Sequence, residues 1–229
     1  MKIIATIEAR MNSSRLPGKV MMEINNTPSL GYMINRVKKS SYIDEIVVAT
    51  TTNQADYEIV KYVNSLEGVN CVRGSEEDVM SRIIKAGTQY GADIIVELTG
   101  DCPLIDPKIV EETIEVYLNN KFDYVSNCLV RTFPDGMDVQ VFSLNLLKLS
   151  YSMTKDKLDR EHVTLHIRNN PKIFSHRNIF APPEIHNPKL GLTLDESSDY
   201  ELIKIIFDNL YSQNKNISCL DIINFLNKN

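Results

Sequence analysis

The chain has 229 residues, 43% of them hydrophobic and 24% charged, which indicates one sizeable core and argues against a disordered protein. Lysine and arginine number 25 against 30 aspartate and glutamate, and this net charge of −5 argues against a non-specific nucleic-acid binder. No apolar run approaches the roughly 20 residues of a membrane span. The four cysteines contain no C-x-x-C pair, so we expect neither a zinc site nor a disulfide framework, and a cytoplasmic location.

Strand-like runs alternate with helical patterns along the first half of the chain. Strands are predicted at residues 3–7, 45–50, 70–72 and 93–99, and helices around residues 28–37, 59–66, 79–91 and 107–117. We expect Thr27 to cap the first helix and Pro28 to be its first residue. The alternation predicts an α/β fold: a mostly parallel, Rossmann-like sheet flanked by helices, with ligands at the carboxyl ends of its strands.

The pattern is less regular after about residue 128. Strands are predicted at residues 138–142, 173–180 and 189–194, and helices at residues 144–151, 158–169, 200–210 and 218–226. The chain has no internal repeat and no low-complexity segment. We therefore expect a single domain over residues 1–229, with an inserted α+β segment at residues 129–186.

The loop after the first strand, residues 9–19, reads ARMNSSRLPGK. It matches neither the dinucleotide-binding glycine pattern nor the P-loop, so both of those nucleotide sites are disfavoured. Its small polar residues can present backbone N–H groups to an anion, and Arg10, Arg15 and Lys19 supply three positive charges. A phosphate-binding loop and a solvated basic loop are both compatible with this pattern.

Two aspartates follow predicted strands. Asp101 lies just after the strand at residues 93–99, and Asp195 just after the strand at residues 189–194. Mg²⁺ prefers one or two carboxylates together with phosphate oxygens and waters, so the pair is a candidate metal site. Alternatively, these aspartates cap turns or helices, with Ser197 or Ser198 as an N-cap and Glu201 as its capping-box partner.

Residues 9–19 resemble the A-R-x-x-S-x-R-L-P-G-K signature of the SpsF branch of the cytidylyltransferases. These proteins are named for spore-coat polysaccharide synthesis and are related to the enzymes that make CMP-Kdo and CMP-sialic acid. Further similar segments lie at residues 44–51, 73–79, 99–105, 123–127, 134–139 and 160–164. The resemblance therefore covers nearly the whole chain.

The resemblance implies a nucleotide-diphospho-sugar transferase fold and a cytidylyltransferase of surface polysaccharide synthesis. In that reaction a sugar oxygen attacks the α-phosphorus of CTP, and pyrophosphate leaves with the help of Mg²⁺. The implied nucleotide-binding residues are Ala9, Arg10, Met11, Ser13, Ser14, Arg15, Lys19, Thr50, Gly74, Ser75, Asp78, Thr99 and Gly100. The implied catalytic residues are Arg15, Lys19 and Asp101, and the implied metal ligands are Asp101 and Asp195.

The acceptor sugar is expected near Asn127, Asp135, Asp138, Glu161 and His162. His162 is either a base or a structural histidine. Relatives in this family commonly dimerise through the segment that corresponds to residues 129–186, so the resemblance also implies a homodimer. The loop ends with Gly18-Lys19, whereas CMP-Kdo and CMP-sialic acid synthetases usually have a different pair, so the acceptor does not carry over from those enzymes.

Two other functions remain open on the sequence. A GT-A-type glycosyltransferase shares the expected fold, but it normally has an Asp-x-Asp metal motif where this chain reads Asp101-Cys102-Pro103. A nucleotide-sensing module would bind CTP without turning it over.

Overall fold

A central seven-stranded sheet organises the chain, of which the computed structural model describes residues 1–211 and 214–228. The strands are β1 (Ile3–Glu8), β2 (Glu23–Ile24), β3 (Thr27–Pro28), β4 (Glu45–Thr51), β5 (Val69–Gly74), β6 (Ile94–Thr99), β7 (Tyr124–Ser126), β8 (Gln140–Ser143) and β9 (His176–Asn178). The sheet order is β5-β4-β1-β6-β8-β7-β9, and β2 pairs with β3 in a separate ribbon. Strands β5, β4, β1 and β6 are parallel, whereas β8 is antiparallel to both neighbours. The predicted mostly parallel α/β fold is confirmed.

Helices cover both faces of this sheet. They are α1 (Ser29–Val37), α2 (Tyr57–Asn64), α3 (Val79–Gln89), α4 (Pro107–Leu118), α5 (Leu144–Met153), α6 (Lys157–Glu161), α7 (Leu165–Asn169), α8 (Ser197–Ile206) and α9 (Cys219–Leu226). Apolar residues of α1, α2, α4, α8 and α9 pack on one face, and those of α3, α5 and α7 pack on the other. Strands such as β1 are therefore apolar on both sides, as is usual for a sheet covered by two helical layers. Within the described ranges, no helix is long and apolar enough to cross a membrane.

The chain before α1 differs from the prediction. Thr27 and Pro28 pair with β2, and the helix begins at Ser29. The two-residue turn between the strands is formed by Asn25 and Asn26, which have positive φ angles of 49° and 62°. Asparagine tolerates this conformation, which tight hairpins require. The prediction of Pro28 as the first helical residue was wrong, because the hairpin takes that residue into a strand.

The helix predicted at residues 158–169 is two short helices, α6 and α7. They are separated by His162, Val163 and Thr164, and Val163 has a φ angle of 27°. A β-branched residue rarely adopts a positive φ, so the tertiary structure imposes this break. The strand predicted at residues 173–180 is likewise limited to His176–Asn178, because only those residues pair with β7.

No strand forms at residues 189–194, contrary to the prediction. An isolated bridge joins Gly191 to Asp135, and the backbone N–H of Leu194 donates to the carbonyl of Asp101 at 2.8 Å. Asp195 therefore follows an extended loop, not a strand. The cap of α8 also differs from the prediction, because Glu196 is the N-cap and Asp199 completes the capping box. Asp199 accepts from the backbone N–H groups of both Asp195 and Glu196, which fixes this turn.

Candidate active site

A crevice of about 350 Å³ lies at the carboxyl ends of β1 and β6, where a parallel sheet is expected to bind ligands. Its lining residues are Glu8, Ala9, Arg10, Ser13, Ser14, Arg15, Lys19, Val20, Val79, Arg82, Thr99, Gly100, Asp101, Glu161, His162 and Asp195. The loops after β1 and β6 line it directly, as predicted. The region after β5 contributes through α3, which supplies Val79 and Arg82.

The loop after β1 is curled and anchored through its backbone. The N–H groups of Ser13 and Gly18 both donate to the carbonyl of Met11, at 2.9 and 2.8 Å. The N–H of Met11 donates to Asp56 Oδ1 at 2.7 Å, and Asp56 is fully buried and also accepts from Thr51. Gly18 has a φ angle of 75°, which suits glycine at the tight end of the loop. This anchoring holds the loop's positive charges at the mouth of the crevice.

The strongest electrostatic feature of the crevice is a cluster of Lys19, Asp101 and Asp195. Lys19 Nζ lies 2.7 Å from Asp101 Oδ2 and 2.7 Å from Asp195 Oδ1, and Arg15 lies 2.9 Å from Asp195 Oδ1. Burial alone would lower the pKa of Lys19, but the two carboxylates outweigh it and hold that pKa above its usual value. Lys19 is therefore a fixed ammonium, while the side chain of Arg15 is 58% exposed and is held less firmly.

The approach of β6 to β1 requires glycine at position 100. The N–H of Gly100 donates to the carbonyl of Glu8 at 2.8 Å, and a Cβ at Gly100 would lie 2.5 Å from that oxygen. The chain can therefore turn directly after β6 and place Asp101 beside the loop that follows β1. Close backbone contact at this point determines the position of the first carboxylate.

A divalent cation fits the two carboxylates. Asp101 Oδ2 and Asp195 Oδ1 converge on one point, which the Lys19 ammonium occupies in this structure, and carboxylates with phosphate oxygens and waters form the ligand set that Mg²⁺ prefers. Residues 1–211 and 214–228 contain no group of three or more His, Cys, Asp or Glu side chains that could hold a metal. The other ligands of a cation at this point would therefore come from a bound phosphate and water.

The segment around α6 forms the opposite wall of the crevice, where Glu161 and His162 lie. Arg160 holds this segment in place. Its guanidinium lies 3.2 Å from the centre of the Tyr151 ring and donates to the carbonyls of Tyr151 and Thr154 at 2.9 and 2.7 Å. This wall is thus fixed by a stacked, hydrogen-bonded arginine.

Some predicted site residues do not line the crevice: Met11, Thr50, Gly74, Ser75, Asp78, Asn127, Asp135 and Asp138. Asp78 caps α3 and accepts from Tyr151, and it lines an adjoining cavity that shares Arg10 and Glu161 with the crevice. Thr50 is buried in β4, while Gly74 is the last residue of β5 and Ser75 follows it.

The three predicted acceptor residues outside the crevice make other contacts. Asn127 is buried, donating to the carbonyl of Met137 at 2.6 Å and accepting from the N–H of Val139 at 2.9 Å. Asp135 and Asp138 pair with Arg131 at 3.1 and 2.7 Å. Burial raises the pKa of Asp138, against the opposing effect of Arg131. Their role in acceptor binding stays a prediction.

Sequence reasoning missed Glu8, Val20, Val79 and Arg82, which also line the crevice. Glu8 had a recognisable signal, because it is a charged residue at the end of an apolar strand. Arg82 had none, since a single arginine in an amphipathic helix is usually solvent-exposed, whereas here it is 2% exposed.

A cationic loop and two convergent carboxylates at the carboxyl ends of parallel strands define a nucleotide-binding α/β protein, and the comparisons with known proteins give its family. The cytidylyltransferase family model matches residues 4–218. The chain is 32% identical over 232 residues to the spore coat polysaccharide biosynthesis protein SpsF of Bacillus subtilis, covering 99% of this chain and 95% of SpsF. This chain belongs to the cytidylyltransferase family.

Solved structures agree with this assignment. A cytidylyltransferase from Leptospira borgpetersenii superposes with a TM-score of 0.92 at 36% identity, covering 100% of this chain and 94% of that one. The fold is also that of CMP:2-keto-3-deoxy-manno-octonic acid synthetase, solved in complex with CTP, with a TM-score of 0.70 at 17% identity over 91% of this chain and 99% of that one. The chain is thus a CTP-dependent nucleotidyltransferase, as the resemblance implied, and the glycosyltransferase alternative is disfavoured. Members of this family are typically metal-dependent.

Proposed function

We propose that this protein transfers CMP from CTP to an oxygen of a sugar or a similar small precursor of the cell surface, and releases pyrophosphate. The observation that carries the proposal is the Lys19–Asp101–Asp195 cluster at the end of the loop after β1. The relative SpsF is named for spore-coat polysaccharide synthesis, and the structure solved with CTP is named as a CMP-sugar synthetase. Both names support a sugar acceptor and a role in surface polysaccharide synthesis.

The loop after β1 supplies the positive charge that the reaction needs. In this proposal Arg10, Arg15 and Lys19 bind the triphosphate, and Ser13 and Ser14, which also line the crevice, offer their hydroxyl groups to its oxygens. Transfer of a phosphoryl-type group depends on positioning and on neutralising charge as pyrophosphate leaves, so fixed cations stabilise the transition state. Lys19, held between two carboxylates, is the most firmly placed of the three.

Asp101 and Asp195 are the proposed holders of Mg²⁺. A bound Mg²⁺ neutralises phosphate oxygens and orients the leaving group. The residues of the chain do the remaining work: the two carboxylates hold the cation, and Lys19, beside them, binds the triphosphate. Glu161 and His162, on the opposite wall, orient the acceptor.

We also propose that residues 129–186 bind the acceptor and form a homodimer. The supporting observation is that this segment exposes large apolar side chains, each at least 45% exposed: Val130, Leu149, Met153, Leu158, Ile173 and Phe180. Exposed apolar residues concentrated in one segment indicate an interaction surface. A two-fold contact there would need to bury about 1,000 Å² or more in total.

We also propose that the reaction takes place in the cytoplasm. The four cysteines are free, which is compatible with a reducing compartment.

The activity is tested by incubating the protein with CTP, Mg²⁺ and a panel of acidic sugars, and measuring pyrophosphate release. Calorimetry with each of the four nucleoside triphosphates and Mg²⁺ tests the base preference, with Lys19→Ala as the matched control. We expect CTP to bind most tightly and at least one sugar to release pyrophosphate. CTP binding without turnover of any acceptor would instead support a nucleotide-sensing module.

A further inference from the structure

A pair of buried glutamates lies beneath the crevice. Glu8 on β1 pairs in register with Thr99, and Glu97 on β6 pairs with Thr6, so the two glutamates are diagonal neighbours on one face of the sheet. Their side chains are close enough that each carboxyl shifts the pKa of the other. Glu97 is 3% exposed, whereas Glu8 lines the crevice, and its Oε1 is buried without a hydrogen-bond partner among the described residues.

The environment of the pair favours one shared proton. Burial raises the pKa of Glu8, and burial together with the neighbouring Glu8 carboxylate raises the pKa of Glu97 well above its usual value. Because the pKa of Glu97 is raised further than that of Glu8, we expect Glu97 to carry the proton and Glu8 to be the carboxylate. The charged or titratable groups that face the pair are Arg82 of α3, His162 after α6, Arg168 of α7, Asp101 after β6 and Asp138 before β8.

Glu97 is connected to the opposite wall of the crevice through β8. Gln140 Nε2 donates to Glu97 Oε2, and Gln140 Oε1 accepts from the hydroxyls of Thr164 and Tyr124, each at 2.6 Å. Thr164 is 1% exposed and is the N-cap residue of α7. A set of hydrogen bonds thus runs from Glu97, the neighbour of Glu8, to the residue two positions after His162.

The turn that this network holds is strained. Val163, between His162 and Thr164, has a φ angle of 27° although it is β-branched, and its side chain is 3% exposed. Such a backbone conformation costs on the order of 1–3 kcal/mol and persists only where surrounding contacts enforce it. The apolar burial of Val163 and the hydrogen bond of Thr164 are those contacts.

We propose that Glu97 and Gln140 are positioning residues that hold the Glu161–His162 turn in the crevice through Thr164. The inference rests on the proposed function, since it assigns these residues to the acceptor wall of that reaction. Without the link, α6 and α7 would relax toward the continuous helix that residues 158–169 favour locally, and Glu161 and His162 would leave the crevice.

The position of the proton is tested first, and this test needs no substrate. The infrared spectrum at neutral pH is expected to show a buried protonated carboxyl band that Glu97→Gln removes. Gln at position 97 can still donate to Glu8 and accept from Gln140, so the fold and the turn remain in place. Persistence of the band in Glu97→Gln would overturn the assignment of the proton.

The link to the turn is tested with Gln140→Leu and Thr164→Val. Ser150→Ala is the matched control, because it removes another hydroxyl hydrogen bond to the same segment, from Ser150 to His166 at 3.0 Å. We expect amide hydrogen exchange at residues 161–168 to rise at least about tenfold in both test variants and to stay at the wild-type rate in the control. An equal rise in Ser150→Ala would overturn the proposal.

The kinetic readout separates positioning from general stability. Gln140→Leu and Thr164→Val should keep their affinity for CTP and lose at least about tenfold in kcat, since small misplacements of positioning groups cost up to about a hundredfold. Glu97→Leu should behave like them, and Glu97→Gln should retain turnover. Equal losses in Glu97→Gln and Glu97→Leu would contradict the proposal. If wild type binds no CTP, the proposed function fails, while exchange and infrared spectra still decide whether the network holds the turn.

Discussion

The two walls of the crevice are built in different ways. The proposed phosphate wall comes from one continuous loop, residues 9–19, which is held by its own backbone bonds, by Asp56 and by the ion pairs of Lys19 with Asp101 and Asp195. The acceptor wall comes from residues 129–186, where a strained turn and an arginine stack hold Glu161 and His162. The first wall thus has its positive charges within one short stretch of sequence, although distant carboxylates hold Lys19 in place, whereas the second wall depends on distant strands for the turn itself.

The two regions also differ in how they use polar residues. In the proposed phosphate wall, Arg15 and Lys19 line the crevice; among the described residues, Arg15 pairs with Asp195, and Lys19 pairs with Asp101 and Asp195. In residues 129–186, Asp135 and Asp138 are paired with Arg131. The ion pairs of the first region therefore lie in the crevice, whereas Arg131 pairs with Asp135 and Asp138 outside it.

The largest expected effect tests the phosphate wall. Lys19→Ala should lower kcat/KM for CTP about 10²- to 10³-fold, because one fixed charge on the leaving phosphate is worth roughly 2–4 kcal/mol. Arg15→Ala should cost less, since its side chain is 58% exposed. Steady-state kinetics measures both, with Lys38→Ala, an exposed lysine bonded to the carbonyl of Glu67, as the control. Full kcat/KM in either loop variant would remove that residue from the mechanism.

The second prediction concerns the metal. Asp101→Asn and Asp195→Asn should each shift the Mg²⁺ titration of activity to higher concentration, by about ten- to a hundredfold, because each loses one anionic ligand. Both residues lie in loops at the crevice, so the cooperative unfolding transition should persist. An unchanged Mg²⁺ titration in both variants would exclude the two-carboxylate site.

A third prediction tests the outer surface of residues 129–186. Leu149 and Met153 lie one turn apart on α5 and are 51% and 45% exposed. Glutamate at both positions should place charge in an apolar contact, dissociate the homodimer and reduce activity several-fold. Light scattering should give twice 26.1 kDa for wild type and 26.1 kDa for the double variant. Ile205→Glu, an exposed apolar residue outside the segment, should remain dimeric.

A wild-type mass of 26.1 kDa with full activity would contradict the dimer.

The smallest expected effect is on stability. Because burial raises the pKa of Glu97, the folded state keeps a proton that the unfolded state loses above about pH 4.5. Its contribution to the free energy of unfolding therefore falls as pH rises from that value toward the folded-state pKa, by up to about 1.4 kcal/mol per pH unit. Glu97→Gln has no such proton and should show a flatter pH dependence in denaturant unfolding. Identical slopes would contradict a protonated Glu97.

The sequence determined the phosphate wall and the parallel half of the sheet. Periodic apolar residues are sufficient to predict β1, β4 and β6 and their helices, because each element buries a face that its own pattern specifies. The loop after β1 is also local: Arg10, Arg15 and Lys19 lie within ten positions, so the end of one strand delivers them together. The family resemblance predicted the transfer of CMP from CTP, and the family assignment confirmed that prediction.

The tertiary structure decided the rest. Asp195 reaches the crevice because Leu194 bonds to the carbonyl of Asp101, a contact across more than ninety residues that no local pattern encodes. The break between α6 and α7 likewise depends on Thr164 reaching Gln140 of β8, which overrides the helical preference of residues 158–169. Local propensities are worth a few tenths of a kcal/mol per residue, so one buried hydrogen bond and a packed valine together determine the conformation of such a segment.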